Sequence, residues 1–150
     1  MRNIIILALA LLPLSLSAAP AETQYKWIGF GDFHSSGFGK HDHVPVTVEV
    51  KITETKFSSK DCWEPGTNLE ICSLQSYEIR NGGELWTEGH LVGSLSLDPL
   101  KMDVAYSTRG VELKSHFDAA ADGNLNFTYS FDYYTGDYVH SYVNDLPVIH

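Results

Sequence analysis

Seven histidines stand in a chain of 150 residues, and three of them, His34, His41 and His43, surround the segment Ser35-Ser36-Gly37-Phe38-Gly39. A Gly-bearing loop lets imidazoles fold back on a common point, and with Asp32 or Asp42 as an oxygen donor such a set would suit zinc or copper. The competing reading is three solvated loop residues, because His-x-His without a fourth ligand at fixed spacing is a weak metal signature. His140 shares an alternation face with Tyr138 and Tyr142, a position from which a side chain could enter an interior. For catalysis the inventory is thin. Neither a G-x-S-x-G elbow nor an H-E-x-x-H pair occurs. Glu49, Glu54, Glu78, Glu112 and Asp132 alternate with apolar residues as solubilising charges do. No catalytic residue is assigned, and a binding role is favoured over an enzyme without the sequence deciding between them.

Aromatic residues offer a different chemistry. Trp27, Phe33, Tyr106, Phe127, Tyr129, Phe131, Tyr138 and Tyr142 supply large rings, and tyrosines sharing an inner face would line an apolar cavity with hydroxyl handles. The expected lining of such a site is Trp27, Tyr106, Phe127, Tyr129, Tyr138, His140 and Tyr142. The plainer alternative is that the same rings fill the interior and leave no cavity.

These residues must be carried by strands. From Tyr25 onward apolar residues recur with a period of two, and no segment of helical length repeats at three and four. Val44, Val46, Val48, Val50 and Ile52 alternate with Pro45, Thr47, Glu49, Lys51 and Thr53, and Leu125, Phe127, Tyr129, Phe131 and Tyr133 alternate with polar partners. Each has one buried and one wet face. Asn81-Gly82-Gly83, Glu88-Gly89, Asp98-Pro99, Arg109-Gly110, Asp122-Gly123-Asn124 and Gly136-Asp137 punctuate the runs as tight turns. Strands are expected over 24–34, 43–56, 71–80, 83–88, 90–97, 101–108, 111–118, 124–134 and 138–144, with two long connections at 35–43 and 57–70. The fold class is therefore all-β, an antiparallel up-and-down meander closed into a small barrel of eight or nine strands, because closure removes the two exposed edges of a long meander. A β-sandwich is the alternative.

The first residues set the compartment. Arg2 precedes the apolar run Ile4 to Leu16, and Ala19-Pro20-Ala21 has the A-x-A form of a cleavage site before Glu22. Residues 1–21 read as a signal peptide and 22–150 as a single barrel domain, secreted or periplasmic and without a membrane anchor once the leader is removed. Cys62 and Cys72 are the two cysteines, separated by a segment containing Pro65-Gly66; export makes a disulfide between them the expected state. Lys and Arg number 10 against 19 Asp and Glu, a formal charge of −9. With no basic run, a nucleic-acid partner is excluded on long-range repulsion.

The first strand carries Trp27-Ile28-Gly29-Phe30-Gly31, and in this W-x-G-x-G the chain resembles the lipocalin-like (calycin) group of small exported barrels, in which a Trp and nearby Gly of the first strand pack across the closed end. The pattern departs from lipocalins proper. Tyr25 stands where they place a Gly, and no Arg follows Lys114 to stack on the Trp. The resemblance implies a binding protein for a small apolar or amphipathic molecule, with fatty-acid-binding and haem-binding relatives. In the latter an axial His near the chain end would make His140 the haem ligand. The alternative function is a packed, non-catalytic barrel whose outer surface binds a protein or glycan partner. The oligomeric state is not legible.

Overall fold

A computed structural model describes residues 21–150, so the leader reading of residues 1–21 lies essentially outside the described residues. Ten strands follow one another: β1 (Thr23–Ser35), β2 (Gly39–Ile52), β3 (Lys56–Trp63), β4 (Ile71–Arg80), β5 (Glu84–Thr87), β6 (His90–Ser96), β7 (Lys101–Thr108), β8 (Val111–Ala119), β9 (Leu125–Tyr133) and β10 (Tyr138–Leu146). Each pairs antiparallel with the next, and β10 returns to β1 through Asp32–Tyr142 to Ser35–Val139, closing the barrel. The meander and its closure are as the alternation implied, with one strand more.

The added strand is β3, which lies within what reads in sequence as the 57–70 connection. Its inward positions are Phe57, Ser59, Asp61 and Trp63, and the two polar residues among them erase the apolar period of two. The 35–43 connection is also shorter than expected: β1 runs to Ser35 and β2 starts at Gly39, the turn between them tightened by the Phe38 N–H donating to Ser35 Oγ at 2.8 Å. His41 and His43 are thus strand residues, not loop residues. Two hairpins use Glu88-Gly89 and Arg109-Gly110, all four residues at positive φ, the backbone that a two-residue turn matching strand twist demands.

At one end of the barrel, where β8 turns into β9, the interior is wholly apolar. Trp27, Phe57, Met102, Phe117, Leu125 and Phe127 have no solvent-exposed surface, and Phe117 lies 4.5 Å from Phe127 and 5.7 Å from Phe57 by ring centroid. Trp27 ties this end together by donating its Nε1–H to the Gly123 carbonyl at 2.8 Å. Tyr25 stacks parallel on it at 5.6 Å. The glycines of the first strand make room: a Cβ on Gly31 would stand 2.6 Å from the Tyr142 carbonyl oxygen and 3.0 Å from the Trp63 ring, and one on Gly29 would meet Leu146 Cδ1 at 2.6 Å. Beyond β10 the chain continues alongside β1, Trp27 bridging to Val148 and the Ile149 N–H donating to the Lys26 carbonyl at 2.8 Å. Cys62 and Cys72 are register partners on β3 and β4, and they form the disulfide, which clamps the 64–70 loop.

Candidate functional site

Toward the other end buried polar side chains join apolar ones such as Phe33, Val46 and Trp63. On β3 and β4 the inward residues Ser59, Asp61, Gln75 and Tyr77 adjoin, Ser59 being the register partner of Gln75. Across the barrel, Ser115, Tyr129 and Ser141 form one row over β8, β9 and β10, and Tyr106 points inward from β7. Tyr129 is the register partner of both Ser115 and Ser141. Tyr106, Tyr129 and Phe131 are only partly buried, and they lie toward the end where β7 and β9 finish. Phe131 packs edge-on against Tyr133 at 4.9 Å.

Asp61 is the centre of this belt. Its side chain is 1% exposed, and Oδ2 accepts a hydrogen bond from Trp63 Nε1–H at 2.7 Å. Oδ1 has no partner. Burial pushes its carboxyl up to about 6, against the indole and backbone hydrogen bonds that hold it down. Gln75 Oε1 accepts from the Tyr77 hydroxyl at 2.9 Å, while its Nε2 and the hydroxyls of Ser59, Ser115 and Ser141 have no partner. Each buried group left unmatched costs about 1–3 kcal/mol. Burial raises the phenol of Tyr77 and pushes that of Tyr129 up to about 12, the Asp61 charge adding to the latter. The phenols are therefore neutral, with the Tyr77 hydroxyl donating to Gln75 while the Asp61 carboxylate accepts from Trp63.

The residues expected to line the interior divide. Trp27 and Phe127 lie inside, in the apolar half; Tyr106 and Tyr129 lie inside, in the polar half. Tyr138, His140 and Tyr142 do not line the interior: on β10 the inward residues are Val139, Ser141 and Val143, and the three rings take the opposite alternation phase. His140 pairs with Asp132 at 2.8 Å on the outer face, so it does not project into the barrel toward a haem. The three loop histidines do not converge either. His34 Nε2 meets Asp42 Oδ1 at 2.6 Å, His41 lies between the Phe38 carbonyl and Glu64, and His43 stacks on Phe30 at 4.7 Å. No group of three or more His, Cys, Asp or Glu side chains among the described residues is arranged to hold a metal ion.

What the structure does bring together is an outer wall. His34 is the register partner of His140, and Asp32 that of Tyr142. With Phe30, His43 and Tyr138 these residues cover adjoining outer positions of β2, β1 and β10, and Phe30, Tyr142 and Tyr138 are exposed. Elsewhere a cleft of about 770 Å³ opens to solvent at the apolar end between Tyr25, Leu100, Ala119 and Val148, remote from the belt. No protein-family model matches the chain, and comparison with curated proteins and with solved structures finds no match.

Sequence reasoning missed Ser59, Asp61, Gln75, Tyr77, Ser115 and Ser141. The signal was available for β3, where Phe57-x-Ser59-x-Asp61-x-Trp63 keeps a period of two if serine and aspartate are admitted to an inner face.

Proposed function

We propose that the protein is an exported binding protein that takes a small amphipathic molecule into the polar half of its barrel through the mouth at Tyr106, Tyr129 and Phe131. The observation that carries this reading is the set of five buried inner-wall polar atoms without partners, on Ser59, Asp61, Gln75, Ser115 and Ser141. A barrel acting only as a packed scaffold gains nothing from them, since apolar side chains of like volume would remove a penalty of about 1–3 kcal/mol at each site. A ligand with matching polar groups relieves that penalty on binding. Tyr106 and Tyr129, the least buried rings of the belt, are the ones that must turn aside to admit it. The resemblance to lipocalin-like barrels, carried by Trp27, Gly29 and Gly31, points the same way, and the disulfide fits a secreted or periplasmic location.

Displacement of an environment-sensitive dye by a panel of amphipathic molecules tests the reading, with amide chemical shifts to locate the contact. Saturable binding that perturbs Asp61, Gln75 and Tyr129 supports it. No binding below about 100 μM, equivalent to ~5.5 kcal/mol, would end it.

A second reading rests on the outer wall. Exposed Phe30, Tyr138 and Tyr142 interleaved with His34, His43 and His140 offer ring faces and hydrogen-bonding groups to a protein or glycan partner. Phe30→Ala with Tyr142→Ala would abolish such binding and leave the interior untouched.

A further inference from the structure

We infer that the molecule bound in the barrel is a small amphipathic amine, its ammonium group paired with Asp61 Oδ1 and its apolar portion directed to the mouth. This rests on the interior-site reading and adds the sign of the ligand's charge.

Asp61 is the one charged side chain among the buried residues described; the others buried with polar groups are Ser35, Ser59, Gln75, Ser115 and Ser141. No buried lysine, arginine or histidine faces it. A carboxylate, sulfate or phosphate placed in this belt would meet a like charge with no counter-ion at low dielectric, which is strongly unfavourable. A neutral ligand would leave the carboxylate uncompensated. An ammonium supplies what the site lacks, because N–H donors suit the open Oδ1 lone pairs and the positive charge offsets a buried negative one. The surroundings agree. The neutral phenols of Tyr106 and Tyr129 offer electron-rich rings and oxygen acceptors to a cation. The unpartnered Gln75 Nε2 donates to an oxygen acceptor beside the nitrogen, as in an amino alcohol.

The orientation follows from packing. Below the belt Phe57, Met102, Phe117 and Phe127 are fully buried and in mutual contact, so the apolar portion lies toward the mouth, against Val104, Leu113 and Phe131.

The test uses the oxidised chain without its leader and three probes of near-equal shape: 2-phenylethylamine, 2-phenylethanol and 3-phenylpropanoate. Binding is followed by calorimetry and by tryptophan fluorescence, to which Trp63, bonded to Asp61, contributes with Trp27 and Trp86. The amine is expected to bind at least ten-fold more tightly than the alcohol, with no binding of the carboxylate. Asp61→Asn should remove the amine's advantage over the alcohol. Equal or tighter binding of the alcohol or the carboxylate overturns the charge assignment and leaves the interior-site reading standing. If none of the three binds and no other amphipath does, the interior-site reading itself falls. The wild-type ranking decides the matter even if the variant fails to fold.

Discussion

Replacing Asp61 by Asn tests the energetics of the belt directly. Asparagine retains an oxygen to accept the Trp63 Nε1–H bond, now 2.7 Å long, and occupies nearly the same volume, but it never ionises. In the folded chain the Asp61 carboxyl titrates at about 6, against an ordinary value of 3.8, with burial as the largest cause. Below pH 3.8 folded and unfolded chains both hold the proton. Between 3.8 and about 6 the unfolded chain releases it while the folded chain keeps it, so the unfolded state binds fewer protons and stability falls as pH rises. The interval of about two pH units corresponds to about 3 kcal/mol at 1.36 kcal/mol per unit, a large part of the 5–15 kcal/mol typical of a domain. All other titrating groups are common to both proteins, so the difference between their stabilities isolates Asp61.

Urea unfolding followed by tryptophan fluorescence at pH 3.5, 5 and 7 measures that difference. The wild type should lose about 3 kcal/mol relative to Asp61→Asn between the lowest and highest pH. A difference that stays flat within about 1 kcal/mol would refute the claim that the folded barrel holds a buried, uncompensated carboxylate. A bound ammonium should reverse the trend, since it stabilises the ionised form most at pH 7.

Three further outcomes follow from the packing. Gly31→Ala should cost about 1–3 kcal/mol and loosen the β1–β10 seam, because its Cβ meets a backbone carbonyl; Gly29→Ala should cost less, because its Cβ meets the movable end of Leu146. Paired thermal melts distinguish the two. Trp27→Phe should lose about 1–2 kcal/mol through the unmatched Gly123 carbonyl, read as a lower urea midpoint with unchanged slope. The non-reduced chain should be about 2 Da lighter than the dithiol, and reduction should raise hydrogen exchange first in the 64–70 loop, at a stability cost of ~3 kcal/mol in the chain-entropy model; two free thiols in the native compartment would refute the pairing.

Much of the barrel was legible because much of it obeys one rule. Along β2, Val46, Val48, Val50 and Ile52 face in and polar residues face out, and along β8 and β9 Phe117, Leu125 and Phe127 do the same. Turns at Glu88-Gly89 and Arg109-Gly110 were legible because few residues accept positive φ in succession. On β10 the rule gave the wrong phase. Both of its faces carry bulky residues, Val139 and Val143 on one and Tyr138 and Tyr142 on the other, and a slip of one residue exchanges them. The rings are the larger groups, yet they face solvent; the inner wall takes the valines and Ser141, opposite Phe33 and Tyr129.

The same rule explains why the belt was invisible and why that invisibility is informative. Reading alternation assumes that an inward residue is apolar, so a strand with serine and aspartate facing in reads as a connection, as β3 did. Folding energetics would make the same substitution of apolar for polar at these positions, since Ser59, Asp61 and Gln75 bury groups whose hydrogen bonds are not met within the chain. Local pattern and global fold therefore conflict along β3, and again at Gln75, Ser115 and Ser141 on β4, β8 and β10. Sites where a sequence departs from the pattern of its own fold, at a cost in stability, are where function is to be sought. Here the departure is confined to one layer of the barrel, faces a mouth of half-buried tyrosines, and carries a single negative charge.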